Sequence, residues 1–156
     1  MKRRTITKTS VLPAAREEVF ERLKALRTLQ YIAAPLATFS PLEGSAGLTW
    51  REGEDFAFRL KLFGFLPLGI HKIHVLAFDA AAFQISTKES NPHVPVWNHR
   101  IFLESTPAGE TRYTDEVEID AGWKTPLVCA WAKRFYAHRQ KRWRKLLSRP
   151  GSMTLS

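Results

Sequence analysis

TPLVCAWAKRFYAHRQKRWRKLLS, residues 125–148, holds one unbroken period, and what it must lie against decides the fold. Thr125 suits an N-cap, Pro126 suits the first helical position, and RPG at 149–151 ends the pattern. At about 100° per residue, Leu127, Val128, Trp131, Phe135 and Leu146 share one side of the helix, with Ala132, Tyr136 and Trp143 at its border. Lys133, Arg134, Lys141 and Arg144 take the other side, so one face must cover a large apolar surface while a basic back meets water. His138, Arg139 and Arg142 break the pattern by projecting toward the apolar side. Unless these arginines snorkel to the rim, the covered surface should supply carboxylate partners.

That surface reads as a sheet. From Ala37 to Asp120 the apolar period shortens to two, with strands expected near 37–40, 47–51, 55–63, 70–78, 82–88, 96–104 and 111–120. The connections DAAA and STPAGE fit hairpins, so neighbouring strands should run antiparallel. LFGFLPLG, residues 62–69, reads as an apolar loop because Gly64, Pro67 and Gly69 interrupt it, and SNPHVP, residues 90–95, reads as a polar one. Upstream, KRRTITKTSVL suits an edge strand. Pro13 then marks a helix start, with Val19, Phe20, Leu23 and Leu26 inward and Glu18 and Arg22 as an outward pair. A short second helix over Leu29–Ala33 should stop at Pro35. Residues 1–149 are expected to form one domain and 150–156 a frayed tail.

Alternation carries the candidate chemistry. Trp97, His99, Ile101 and Leu103 fall on one face of their strand, and Tyr113, Asp115, Val117 and Ile119 share a face of the next. Folding about the PAG turn puts His99 opposite Asp115 or Val117, depending on register, so an interior His/Asp pair is expected either way. Such a pair can act as a general acid or base, serve as a polar anchor in an apolar pocket, or simply be a satisfied structural pair.

Bulk composition narrows the partners. Eight of the 24 basic residues lie between Thr125 and Arg149 with no acidic residue among them, so most of the +9 charge sits on one segment. A basic stripe can attract nucleic acid or anionic lipid, but Trp143 and Leu146 of HRQKRWRKLL are better explained by packing, which makes nucleic acid a poor candidate. His71 and His74 point to opposite sides of a strand and make a poor metal pair, so neither a metal nor a cofactor is expected. The single cysteine, Cys129, excludes an internal disulfide and lacks an evident base. With no apolar run behind the basic start and none long enough to span a bilayer, the expectation is a cytoplasmic protein. Oligomeric state is left open.

The order strand, two short helices, antiparallel strands, long terminal helix resembles the helix-grip superfamily, also called SRPBCC or START-related, which includes pollen-allergen-like proteins and polyketide cyclases. The resemblance rests on SVLPAAREEVF, GLTWREGEDFAFRLKLFGFLP, VWNHRIFLE and TRYTDEVEIDAG, and it covers about residues 3–147. It implies an α+β fold in which a curved antiparallel sheet of six or seven strands wraps a long C-terminal helix around an apolar cavity. The ligand would be a lipid, quinone, polyketide or other aromatic molecule, held by Phe58, Leu60, Trp97, His99, Ile101, Tyr113, Asp115, Val117, Trp131, Phe135, His138 and Arg139. Phe63, Phe65, Leu66 and Leu68 would line the cavity mouth or touch an anionic membrane surface. Binding is the first expectation; a cyclase or dehydratase using His99 and Asp115 for proton transfer, or a peripheral membrane lipid-binding protein, are the alternatives.

Overall fold

The computed structural model describes residues 3–42 and 49–148. Strand β1 (Arg4–Leu12) leads into helices α1 (Arg16–Leu23) and α2 (Leu26–Ala33). Then come β2 (Ala37–Pro41), β3 (Asp55–Leu62), β4 (Leu66–Asp79), β5 (Gln84–Asn91), β6 (Val94–Ser105) and β7 (Thr111–Asp120). A single helical turn at Gly122–Lys124 joins β7 to the terminal helix α3 (Thr125–Ser148). The seven strands form one antiparallel sheet in the order β1-β7-β6-β5-β4-β3-β2, which leaves β1 at one edge as its composition implies. Register shifts in the β3–β4, β4–β5 and β5–β6 ladders add local bends to the sheet that α3 packs across. This is the α+β helix-grip arrangement.

Several local expectations change. The apolar stretch at 62–69 is a tight hairpin, not a loop: Phe63 and Gly64 take φ +55° and +80°, and the strands pair up to Leu62 and Leu66. Positive φ at both positions is what a tight hairpin turn with matching twist requires. Gly69, at φ +83°, is paired with Leu60 while Pro67 pairs with Lys61, so Leu68 is the extra residue of a bulge. A side chain at Gly69 would also meet the Pro92 ring at 3.4 Å. SNPHVP is likewise mostly strand, closed by Asn91 pairing with Val94; the Asn91 Oδ1 accepts the His93 and Val94 N–H groups at 2.9 and 3.0 Å. Of the strand expected at 47–51, residues 47 and 48 lie outside the described residues, and Thr49 only bridges to Ala25. The expected tail, 150–156, also lies outside them.

Helix ends differ for visible reasons. Thr125 does not cap α3; its hydroxyl donates back to the Gly122 carbonyl at 2.7 Å and accepts the Ala121 N–H at 2.9 Å, fixing the turn before the helix. Helix α1 starts three residues after Pro13. Arg22 is buried rather than outward, in an ion pair with Glu18 at 3.3 Å.

The space between sheet and α3 is filled unevenly. One end is solid: Trp143, Tyr113, Leu12 and Val19 are fully buried there, and the Tyr113 and Trp143 rings lie 5.7 Å apart. Toward the other end a second apolar cluster, which includes Phe39, Phe58, Trp97 and Phe135, surrounds open space.

Candidate functional site

That space is a hollow of about 410 Å³, within the range of about 300–1,000 Å³ usual for small-molecule sites. Of the expected ligand-binding residues, Leu60, Trp97, His99, Ile101, Trp131, Phe135 and Arg139 line it. Five others lie behind its wall. Phe58 is fully buried between Phe39 and Trp50, with ring centroids 6.2 and 5.6 Å away. Tyr113 belongs to the solid end against Trp143, and Val117 is buried in the apolar cluster that includes Ala132 and Tyr136. Asp115 is covered by the side chains that bond it. His138 donates from Nε2 to the Ala34 carbonyl at 2.7 Å, tying α3 to the end of α2.

The mouth is also corrected. Leu68 lines it, placed there by its bulge, together with Leu62. Phe63, Phe65 and Leu66 do not; they stand in solvent, Phe65 being 76% exposed, because the hairpin tip turns away from the hollow. Trp123 and Leu127, 83% and 68% exposed, also border the hollow, so Leu127 does not pack on the sheet as its helical position suggests.

A row of polar side chains crosses four neighbouring strands beneath the hollow and ends on α3. Asn91 Nδ2 donates to His71 Nδ1 at 3.1 Å, and His71 Nε2 meets Glu89 Oε1 at 2.7 Å. Because the Asn91 oxygen is committed to backbone N–H groups, its amide nitrogen must face His71, which fixes Nδ1 as acceptor and Nε2–H as donor to Glu89. Thr87 donates to Glu89 Oε2 at 2.6 Å. His99 Nδ1 stands 3.9 Å from that same oxygen, beyond hydrogen-bond reach, while its Nε2 meets Asp115 Oδ1 at 2.7 Å. Gln140 Nε2 donates to Asp115 Oδ2 at 3.0 Å and to the Lys8 carbonyl at 2.8 Å. Register places His99 opposite Val117, with Asp115 one diagonal step away.

Electrostatics follow from these contacts. Burial works to raise the Glu89 pKa, but the hydrogen bonds from His71 and Thr87, with the nearby His71 and His99 rings, outweigh it and leave the carboxyl below its ordinary value. A depressed folded-state pKa contributes stability above the unfolded-state pKa, and that contribution is lost as pH falls through the folded value. Thermal midpoints should therefore drop on acidification below the ordinary carboxylate range, and Glu89→Gln should flatten that part of the profile in a pH-dependent melting series.

Burial and the neighbouring Asp115 charge push the Tyr113 phenol up. Burial opposes the charge of Arg139, but Asp115 leads the surrounding groups that raise its pKa and keep it cationic. Among the described residues no carboxylate comes within ion-pair distance of Arg139 or Arg142, contrary to the expected partnership. Asp115 is taken by His99 and Gln140 instead. Arg142 donates to the Tyr31 carbonyl at 3.2 Å and lies over the Tyr31 ring at 4.0 Å. Cys129 is buried, which raises its thiol pKa.

Sequence reasoning missed His71, Thr87, Glu89 and Tyr136 as lining residues. The signal existed: continuing the β5 alternation Ile85, Thr87 by one step reaches Glu89, just past the expected strand end at 88.

Comparison with known proteins agrees with the architecture. The chain has the helix-grip fold, matching solved structures along nearly its whole length. Protein CV1439 from Chromobacterium violaceum is 17% identical, with a TM-score of 0.71 over 94% of this chain and 98% of that one. A START superfamily protein from Mycobacterium smegmatis is 15% identical, TM-score 0.69, over 92% and 96%. The Zhui aromatase/cyclase from Streptomyces is 15% identical, TM-score 0.67, over 92% and 93%. Within that fold, the chain belongs to the family described as a domain of unknown function, DUF8410, whose model matches residues 10–147. Among curated proteins none matches in sequence.

Proposed function

We propose that the chain binds a hydrophobic, partly aromatic small molecule in the hollow, as a carrier or a sequestering protein. The observation that carries this reading is the contrast between the two ends of one interior: Trp143 and Tyr113 fill one, while Trp97, Trp131 and Phe135 border open space in the other. An apolar chamber with a few polar groups at one wall suits a ligand with a greasy body and one polar end. Exposed Phe65, Trp123 and Leu127, with Lys61 and Lys124 close by in sequence, support an anionic membrane surface as the place of uptake or release. The test is native mass spectrometry of protein purified from its own cells, followed by solvent extraction. A bound apolar molecule released on unfolding supports the proposal, whereas repeated recovery of empty protein that also binds no apolar probe refutes it.

One observation favours a second reading. His99 holds Nε2 on Asp115 and turns Nδ1 toward the hollow, the arrangement of an oriented acid or base for cyclisation or dehydration. Turnover of a bound substrate that disappears in a folded, ligand-binding His99→Gln variant would establish it.

A further inference from the structure

The polar groups of the hollow divide into those already satisfied and those left over. Both Glu89 oxygens hold donors from His71 and Thr87, and both Asp115 oxygens hold donors from His99 and Gln140. Beside the His99 Nδ1, two donors remain. Arg139 is 5% exposed and lines the hollow, yet its Nε has no acceptor and its guanidinium no ion pair among the described residues. Tyr136 accepts the Trp97 indole N–H at 3.0 Å, which leaves its own hydroxyl proton unassigned. The two lie together: the guanidinium carbon is 5.1 Å from the Tyr136 ring centroid, and the His99 ring is 5.0 Å from it on the hollow's wall.

From this accounting we propose that the ligand carries an oxyanion, such as a carboxylate or sulfonate, and that Arg139 receives it with Tyr136 as a second donor. The proposal rests on the reading of the hollow as an apolar ligand site and names the chemistry of one end of that ligand. A guanidinium offers five N–H groups in a planar fork that matches an oxyanion, and hydrogen bonds between charged partners are about twice as strong as neutral ones. A ligand with no acceptor at that end would leave the Arg139 Nε–H buried and unmade, which costs more than a modest bond gains, and an oxyanion also meets the guanidinium's charge. The nearby carboxylates, each already bonded to protein donors, do not compete with the ligand for the Arg139 Nε–H. Trp97, Trp131 and Phe135 would hold the apolar body.

Anilinonaphthalene sulfonate and N-phenylnaphthylamine share their rings and differ in the sulfonate, so the ratio of their affinities reads the oxyanion alone. Fluorescence titration of the full chain should show the sulfonate bound about tenfold or more tightly. Arg139→Gln and the apolar Arg139→Met should abolish that preference, so that the two probes bind each variant with affinities within about twofold of one another. Equal affinities on the unmodified chain, or a preference that survives both substitutions, would overturn the proposal. The comparison on the unmodified chain stands even where both variants unfold. Failure of the neutral probe to bind there at all would instead bring down the underlying ligand-site reading, and the proposal with it.

Discussion

Trp143→Ala should destabilise the fold by about 3–5 kcal/mol, the range for truncating a buried aromatic side chain, and lower the thermal midpoint by roughly 10 °C. Trp143 is fully buried against Tyr113 at the solid end, so its removal opens a void that rigid strands and α3 cannot close. Trp131 is the control. It sits on the same helix but borders the hollow and is partly exposed, so Trp131→Ala deletes atoms that already lack neighbours on one side and should cost far less. Chemical denaturation of the two variants side by side measures the difference. Equal losses would mean that both ends of the interior are packed alike.

Asp115→Ala should have the second large effect, about 3–5 kcal/mol, for an electrostatic reason. The substitution orphans donors on His99 and Gln140 and strips Arg139 of the carboxylate that contributes most to holding its charge in the interior. Asp115→Asn keeps an acceptor oxygen and nearly the same shape while losing the charge. Its loss should fall between the native chain and the alanine variant if the buried guanidinium depends on that charge, and urea unfolding at neutral pH distinguishes the cases. An asparagine variant as stable as the native chain would confine the role of Asp115 to hydrogen bonding.

Much of this architecture is legible in residue spacing, because burial imposes periods that the chain must obey. The 125–148 stretch is helical from its apolar stripe, and the two-residue alternation of β6 and β7 puts His99 and Asp115 inside before any contact is known. What spacing does not show is where an interior is full. Tyr113 and Leu60 both read as inward, yet one lies in a solid core and the other on an empty chamber, a distinction set by which rings α3 delivers at each level. Strand ends were obscured by breakers used in unusual ways. Gly64 and Gly69 signal a loop by composition, but a positive-φ turn and a one-residue bulge absorb both within a continuous hairpin. Stopping β5 at Lys88 hid Glu89, and with it the His71–Glu89 half of the polar row. Arg139 was legible as inward but not as unpaired, since that depends on Gln140 reaching Asp115 first.

The central claim is that the space beneath α3 accepts an apolar molecule, and filling it from within tests this most directly. Ile73 is buried on β4 and lines the hollow, so Ile73→Trp should push an indole into it and keep the fold at native stability or better. Fluorescence titration with N-phenylnaphthylamine is predicted to give saturable one-site binding to the native chain and none to the folded tryptophan variant. Equal binding to both proteins, or no saturable binding to the native one, would contradict the account.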